Sequence, residues 1–319
     1  MGGRIIVLGA AGRIGRAAAE AFRDAGWSVA SQVRASAASR AAPGTEIVEV
    51  DARDSESLIE AARGADVVLH ALNPPYTQWT KFALAYADAA IAAARAADAT
   101  LMLPGNVYNY GPPLPPLIDA TTPMQAETRK GRMRIEIERR MRAAARDGLR
   151  AVVLRAGDFY GGAGHGSWFD RVIAKEISGG TVTYPGALDV AHAWAYVPDL
   201  AGAFVQLANA RDKLGAFETL GFAGHAVTGR ELVGAMARAV GRSNLKAVRM
   251  PWLTLRLLSP VVPIFRELAE MSYLWTEPHR IDGGELQAAI GDVPQTPFET
   301  AVAAALHDLG LIGPRRGTG

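Results

Sequence analysis

The stretch G-A-A-G-R-I-G at residues 9–15 decides the fold class. It follows a short apolar run directly and opens a segment with helical periodicity. A glycine-rich turn between a strand and a helix is a context in which backbone N–H groups and the helix dipole bind phosphate. We therefore predict that Gly9 permits a tight turn, Gly12 permits close approach of a pyrophosphate, and Gly15 permits close packing of the helix on the strand.

Short β-rich runs alternate with helical patterns through the first half of the chain. This alternation is typical of a parallel sheet with helices on both faces. Right-handed crossovers make such a sheet doubly wound. The predicted strands are 5–8, 28–33, 47–50, 67–70, 100–103 and 150–155, and the predicted helices are 13–25, 54–63, 79–97 and 127–147. We predict an α/β fold with a doubly wound parallel (Rossmann) sheet over residues 1–160, to which 191–222 returns. A smaller, mixed, substrate-covering region is expected within 161–319.

Composition excludes several classes of function. The 319 residues carry 34 Lys+Arg against 32 Asp+Glu, a formal charge of +2, which is too balanced to predict a nucleic-acid partner. The absence of cysteine excludes disulfides, thiolate metal sites and a cysteine nucleophile. The histidines lack the spacing of a metal site on one element, so no metal is expected. Without a signal-peptide pattern or an apolar stretch of about 20 residues, we expect a cytoplasmic protein with no membrane partner.

The end of the second strand indicates which dinucleotide is bound. A carboxylate there would accept hydrogen bonds from a ribose 2′-OH, but the sequence is S-Q-V-R, ending at Arg34. Arg13, inside the glycine loop, can reach the same corner. Two guanidiniums and no carboxylate favour a 2′-phosphate, hence NADP over NAD. NAD stays open, because both arginines can also be solvated surface residues. Asp51, after the third strand, can accept from the adenine amino group or cap a turn.

Six further segments follow the glycine loop in an order and spacing that are specific together. They are V-D-A-R-D (50–54), D-V-V-L-H-A (66–71), N-V-Y-N-Y-G (106–111), L-R-A-G-D-F-Y-G-G (154–162), A-Y-V-P-D-L-A (195–201) and T-G-R-E-L (228–232). Over most of its length the chain resembles the short-chain dehydrogenase/reductase superfamily, and within it the extended and atypical NAD-dependent epimerase/dehydratase-like branch. Candidate cofactor contacts at matching positions, besides those above, are Ile14, Ala52, Ala71, Leu72 and Arg132.

The resemblance implies a Ser or Thr after the fifth strand and a Tyr and Lys four residues apart on a helix. The Tyr exchanges a proton with the substrate, and the Lys holds the nicotinamide ribose. Counted from the Val-Tyr pair, the Ser position falls at Pro104. Counted back from Glu136, the helix positions are Thr128 for the Tyr and Arg132 for the Lys. All three residue types differ from the family pattern, and a threonine hydroxyl is too weak an acid to replace a phenol.

Two hypotheses follow. In the first, the protein is an oxidoreductase or epimerase for a small carbonyl or hydroxyl substrate, and another group handles the proton. The candidates are Tyr108, Asn106 as an amide donor, and His165 in a glycine-rich loop. Tyr108 can also be an ordinary aromatic at the edge of the core, and His165 an exposed loop residue. In the second hypothesis, the protein binds NADP(H) without turnover, as a redox sensor or scaffold. We favour the enzyme; a monomer and a homodimer both remain open.

Overall fold

The computed structural model describes residues 2–313, and within them seven parallel strands form one central sheet. Its strand order is β3-β2-β1-β4-β5-β7-β11. The predicted α/β doubly wound fold is confirmed. In chain order the strands of the protein are β1 (Arg4–Leu8), β2 (Ser28–Val33), β3 (Glu46–Glu49), β4 (Val67–His70), β5 (Thr100–Asn106), β6 (Leu117–Ile118), β7 (Ala151–Ala156), β8 (Asp158–Tyr160), β9 (Thr181–Tyr184), β10 (Ala191–Tyr196), β11 (Phe217–Phe222), β12 (His225–Thr228), β13 (Lys246–Arg249) and β14 (Arg280–Ile281).

Helices cover both faces of the central sheet, which is why its inner strands are mostly apolar. In chain order the helices are α1 (Arg13–Asp24), α2 (Ser55–Ala61), α3 (Trp79–Ala96), α4 (Arg129–Arg146), α5 (Val197–Ala210), α6 (Gly229–Ala239), α7 (Trp252–Leu258), α8 (Pro263–Glu270), α9 (Gly284–Ile290) and α10 (Phe298–Asp308). Helices α1 and α5 share a core on one face, and α2, α3 and α4 share a core on the other. The alanines of α3 keep this second layer thin, because small side chains let the helix approach the sheet closely.

The strand order reverses direction between β1 and β4, since β2 and β3 lie on one side of β1 and β4, β5 and β7 lie on the other. In doubly wound sheets, ligands bind outside the carboxyl ends of the strands at this switch point. Strand β5 extends to Asn106, three residues beyond the prediction, because its pairing with β7 continues through Asn106 and Ala156. The extension carries Asn106 to the edge where a ligand is expected.

The segment after β7 forms a second core over this edge. Short sheets β8-β10-β12, β9-β13 and β6-β14 pack with α6, α7, α8 and α10 around aromatic side chains. Strand β11 and helix α5 belong instead to the central sheet and its layer. Among residues 2–313, no helix is both long and apolar enough to cross a bilayer.

Candidate active site

The glycine loop has the geometry that a pyrophosphate requires. Gly9 adopts a φ of +81°, and a Cβ placed there would lie 3.0 Å from the Ala71 carbonyl. A Cβ on Gly15 would lie 2.4 Å from the Gly9 oxygen, so α1 reaches the loop only because residue 15 has no side chain. Gly12 precedes α1 and no side chain caps the helix. The first-turn N–H groups of α1 are therefore available to an anion.

A buried glutamine that the sequence analysis passed over holds this loop in place. Gln32, on β2, is 1% exposed. Its Oε1 accepts from the Gly9 N–H at 2.8 Å, its backbone oxygen accepts from the Ala10 N–H at 3.0 Å, and its Nε2 donates to the Val50 oxygen at 2.5 Å. The available signal was a long polar side chain next to valine in a short strand predicted to be buried.

Arg34 and Asp51, the residues predicted to contact a 2′-phosphate and the adenine, both follow the carboxyl ends of strands in the central sheet. Arg34 directly follows β2 and is exposed. Asp51 follows β3, and its carboxylate accepts from the Arg53 side chain and backbone. These bonds to Arg53 lower the pKa of Asp51 to about 2, so the carboxylate is ionised at neutral pH. An ionised Asp51 is an acceptor, as the adenine hypothesis requires.

Arg13 has a different environment from the one expected. Its guanidinium donates to the backbone oxygens of Gly161 at 2.8 Å and Gly164 at 2.7 Å, and to Asp170 Oδ1 at 2.6 Å. The side chain is largely buried. Arg13 therefore fastens the loop after β8 to the start of α1, and Arg34 is the exposed arginine at the end of β2.

The remaining predicted cofactor positions divide between the edge and the core. Ala71 and Leu72 follow β4 and lie against Gly9. Ile14 is in the first turn of α1 and packs in a small apolar cluster with α5. Ala52 is buried in the core beneath α2 and α3. Of these four residues, Ala71, Leu72 and the backbone of Ile14 therefore lie next to the glycine loop, whereas Ala52 lies in the core.

The burial of the residues on α4 does not support Glu136 as the reference residue for locating the Tyr and Lys positions. Glu136 is at the surface, paired with Arg139 and Arg140. Thr128 is the N-cap of α4, where its hydroxyl accepts from a backbone N–H, and Arg132 is exposed. The buried carboxylate is two residues further on. Thr128 is thus engaged in capping the helix, and Arg132 is in contact with solvent.

Glu138 is this buried carboxylate, with 2% exposure. It pairs with Arg155 of β7 at 2.5 Å and accepts from Asn109 Nδ2 at 2.7 Å. The same count made from Glu138 gives Lys130 at the Tyr position and Arg134 at the Lys position. Arg155 was the signal in the sequence for a buried carboxylate. It is a charged residue in a buried strand, and a buried charge needs a buried counter-charge.

Arg134 faces the carboxyl edge of the sheet. Its Nη1 donates to the oxygen of Pro104 at 3.5 Å, and its guanidinium lies 5.0 Å from the Trp79 ring centre. His70, at the end of β4, is buried; burial and the charge of Arg134 lower the pKa of His70 to about 3, so its ring is neutral. Within residues 2–313, His70 Nδ1 and Arg134 Nε are buried without hydrogen-bond partners. Such groups are what a bound ligand or water would satisfy.

Lys130 is almost completely buried, with 1% of its side chain exposed. Its ammonium contacts the Glu267 carboxylate, donates to Glu270 Oε2 at 2.8 Å, and lies 5.0 Å from the Tyr76 ring centre. Both glutamates belong to α8. A paired cation therefore stands where the family's phenol is expected, and α4 offers no acid at this position.

Tyr108 and Asn106 lie together at the end of β5, whereas His165 is elsewhere. Asn106 Oδ1 accepts from the Tyr108 N–H, and the Tyr108 hydroxyl bonds that of Tyr76 at 2.8 Å. Burial raises the pKa of Tyr108 well above its usual value and that of Tyr76 to about 12. Tyr108 is thus a neutral hydrogen-bond donor rather than a base. His165 is exposed on the loop that contacts Arg13, 3.8 Å from Asp170.

A buried histidine and an aspartate form an acid–base pair near Tyr76 and Tyr108. His192 of β10 is buried, and its Nε2 lies 2.9 Å from Asp158 Oδ2 of β8. Its Nδ1 lies 3.1 Å from the Leu274 oxygen, and its ring stacks on Trp275 at 4.1 Å. A carbonyl oxygen only accepts, so Nδ1 is the donor to Leu274, and Nε2 faces the carboxyl group of Asp158. After burial and Tyr76, the charge of Asp158 is the next factor that raises the pKa of Tyr108.

Comparison with known proteins agrees with the fold and the glycine loop. The model of the NAD dependent epimerase/dehydratase family matches residues 5–220. The chain belongs to this family. Membership assigns it to a class of enzymes, the NAD(P)-dependent oxidoreductases and epimerases, and supports a nicotinamide dinucleotide as cofactor.

Particular relatives extend the comparison. A 3-diazoavenalumate denitrifying reductase from a Streptomyces species is 29% identical over 221 residues, which are 63% of this chain and 71% of the relative. The structure of UDP-glucose 4-epimerase from Bifidobacterium longum with NAD⁺ and UDP is similar, with a TM-score of 0.76, 16% identity and 97% coverage of both chains. The enzyme from Brucella ovis with NAD gives a TM-score of 0.75 at 17% identity, covering 96% of this chain and 98% of that one. At these identities the two structures support the fold alone.

Proposed function

We propose that the protein is an NADP(H)-dependent reductase of a small electrophilic substrate. The observation that carries the proposal is the arrangement on α4. Arg134 keeps a cation beside Pro104 at the strand ends, while the phenol position is taken by the ion-paired Lys130. The site thus keeps the means to hold a nicotinamide ribose and lacks the usual proton donor.

The cofactor contacts follow from the loop and the edge. The N–H groups at the start of α1 bind the pyrophosphate, Arg34 binds the 2′-phosphate, and Arg134 holds the nicotinamide ribose. The bound nicotinamide supplies hydride transfer. NADP is chosen because Arg34 is an exposed cation at the end of β2, where an NAD site has a carboxylate.

For a carbonyl substrate, the Asp158–His192 pair is the candidate proton donor. Asp158 Oδ2 bonds His192, and within residues 2–313 its Oδ1 has no hydrogen-bond partner. The proposed step transfers one proton from this pair to the substrate oxygen as the carbonyl carbon is reduced, and water restores that proton afterwards. His192 is a positioning residue here, because the Leu274 carbonyl fixes which of its nitrogens faces Asp158.

The reductase from Streptomyces suggests a second substrate class for the same reaction type, since its name describes action on a diazo compound. Reduction of an arenediazonium ion replaces the nitrogen group by hydrogen and releases N₂, so it requires no proton from the protein. A site without a phenol acid on α4 suits such an acceptor.

The test is a panel of both electrophile classes with the purified protein, monitored as NADPH oxidation. Turnover of a member of either class supports the reductase. NADPH binding with no turnover of any compound favours the sensor instead.

Asp158→Asn is expected to lower kcat for a carbonyl substrate by about 10²- to 10⁴-fold, the usual contribution of a positioned acid. NADPH affinity and any reduction of an arenediazonium ion are expected to stay unchanged, because neither uses the proton. Asp147→Asn is a suitable control, since that carboxylate is exposed at the C-terminal end of α4, where it pairs with Arg95 outside the cofactor site. Equal loss with both substrate classes would show that Asp158 acts only structurally.

Arg34→Asp is expected to weaken NADPH binding by at least about tenfold while NADH binding is retained or improved, because a carboxylate repels a 2′-phosphate and accepts from a 2′-OH. Titration of each nucleotide by fluorescence measures the change. The matched control is Arg40→Asp, an exposed arginine six residues further on. An equal effect of Arg34→Asp on both nucleotides would remove the argument for NADP.

A further inference from the structure

An apolar projection stands out from the region that covers the site. It is formed by α7, α8 and their connection, residues 251–270, and we call it the α7–α8 tip. Leu253, Leu257 and Val261 are 72%, 71% and 75% exposed. Leu258 and Ile264 are also exposed. Leu253 and Leu257 are four residues apart on one helix, so they share a face. Clusters of exposed large apolar residues mark interaction surfaces.

The tip is built into the fold at its base. Trp252 Nε1 donates to the Pro185 oxygen at 2.6 Å, and Leu255 is buried. Arg256 donates to Ser272 at 3.2 Å. One face of α7 is therefore fixed to the body of the protein while the opposite face presents leucines to solvent.

The exposed charges at the tip are all positive. Arg249, Arg256 and Arg266 are exposed on or beside it. The acidic residues of this segment, Glu267 and Glu270, are largely buried because they turn inward to Lys130 and Arg129. The surface thus combines exposed leucine and valine side chains with a rim of arginines.

We propose that the α7–α8 tip docks on an anionic lipid surface, with Leu253, Leu257 and Val261 entering the interface and the arginines contacting phosphates. Apolar residues flanked by basic ones are the pattern of interfacial helices. A second copy of the chain is a poorer occupant, since a symmetric contact would bring the arginines of both copies together. This surface departs from our expectation of no membrane partner, which considered only segments able to span a bilayer. The proposal is independent of the substrate.

Flotation of the full-length protein with lipid vesicles tests the proposal. One set of vesicles is phosphatidylcholine alone, and the other is an equal mixture of phosphatidylcholine and phosphatidylglycerol. The protein is expected to float with the mixed vesicles and to bind phosphatidylcholine much more weakly. Changing Leu253→Asp and Leu257→Asp together is expected to reduce binding by about tenfold or more, because it replaces apolar contacts with charges that anionic lipid repels. Ile47→Asp, an exposed apolar residue on β3, is the control.

Folding of each variant is verified by a cooperative thermal unfolding transition and by NADPH binding, since the substituted side chains are exposed and lie outside the glycine loop. Arg266→Glu provides a second variant that leaves the apolar residues in place and is expected to weaken binding to the mixed vesicles. Failure of the wild-type protein to float with mixed vesicles would overturn the proposal, as would equal binding to both vesicle types. A wild-type dimer in solution that the two leucine substitutions dissociate would assign the tip to a second copy and equally overturn it.

Discussion

Gly15→Val is expected to abolish dinucleotide binding. The Cβ of the new side chain alone would lie 2.4 Å from the Gly9 oxygen. This oxygen is a backbone atom, so it cannot avoid the clash by a side-chain rotation. Either α1 must move away from the loop, or the loop must break its hydrogen bonds to Gln32. Each movement changes the orientation of the N–H groups that would bind the pyrophosphate. We expect NADPH affinity to fall by at least about 100-fold, about 2.8 kcal/mol, in a fluorescence titration.

Gly179→Val is the matched control. A Cβ at Gly179 meets no atom within 4 Å, so the same substitution there adds bulk in open space. We expect it to leave NADPH affinity unchanged. Retained tight binding by Gly15→Val, with the protein folded, would show that the nucleotide binds elsewhere.

Among the substitutions proposed for this protein, Glu138→Ala is expected to lower the free energy of unfolding most. It leaves the Arg155 guanidinium buried without its counter-charge and removes the acceptor of Asn109 Nδ2. Breaking a buried ion pair by removing one partner costs about 3–5 kcal/mol. The Tyr110 hydroxyl, 2.8 Å from Arg155, stays in place but carries no charge to offset the cation. Urea denaturation measures the free energy of unfolding.

Glu136→Ala is the natural comparison, because Glu136 is two residues away on the same helix and pairs with arginines at the surface. We expect it to cost less than about 1 kcal/mol, as is usual for exposed pairs. Similar costs for the two substitutions would contradict the assignment of Glu138 as the buried carboxylate, and with it the assignment of Lys130 and Arg134 to the Tyr and Lys positions.

Six of the seven strands of the central sheet could be predicted from the sequence, because most of them are short apolar runs with a turn signal on either side, whereas β11 was not predicted as a strand. Among the six, the end of β5 differed most from the prediction. Residues Pro104 to Asn106 look like a turn, yet they continue the strand because β7 supplies partners for their backbone groups. Only tertiary pairing distinguishes these two cases.

The site was less predictable, because its key contacts join distant segments. Whether Glu136 or Glu138 is buried depends on Arg155, 17 residues further along the chain. The Asp158–His192 pair joins two neighbouring strands of one short sheet, β8 and β10, but the two residues are 34 positions apart in the chain and neither has a local motif. Arg13 was ambiguous for the same reason. Its three partners lie on a loop about 150 residues away, so its position in the glycine loop favoured a cofactor contact that the fold directs elsewhere.

Titration of the wild-type protein with NADPH, followed by nucleotide fluorescence, is the most direct test that the glycine loop is a dinucleotide site. We predict saturable binding at one nucleotide per chain, stronger than that of NADH and lost in Gly15→Val. Failure of both NADPH and NADH to bind would contradict the account.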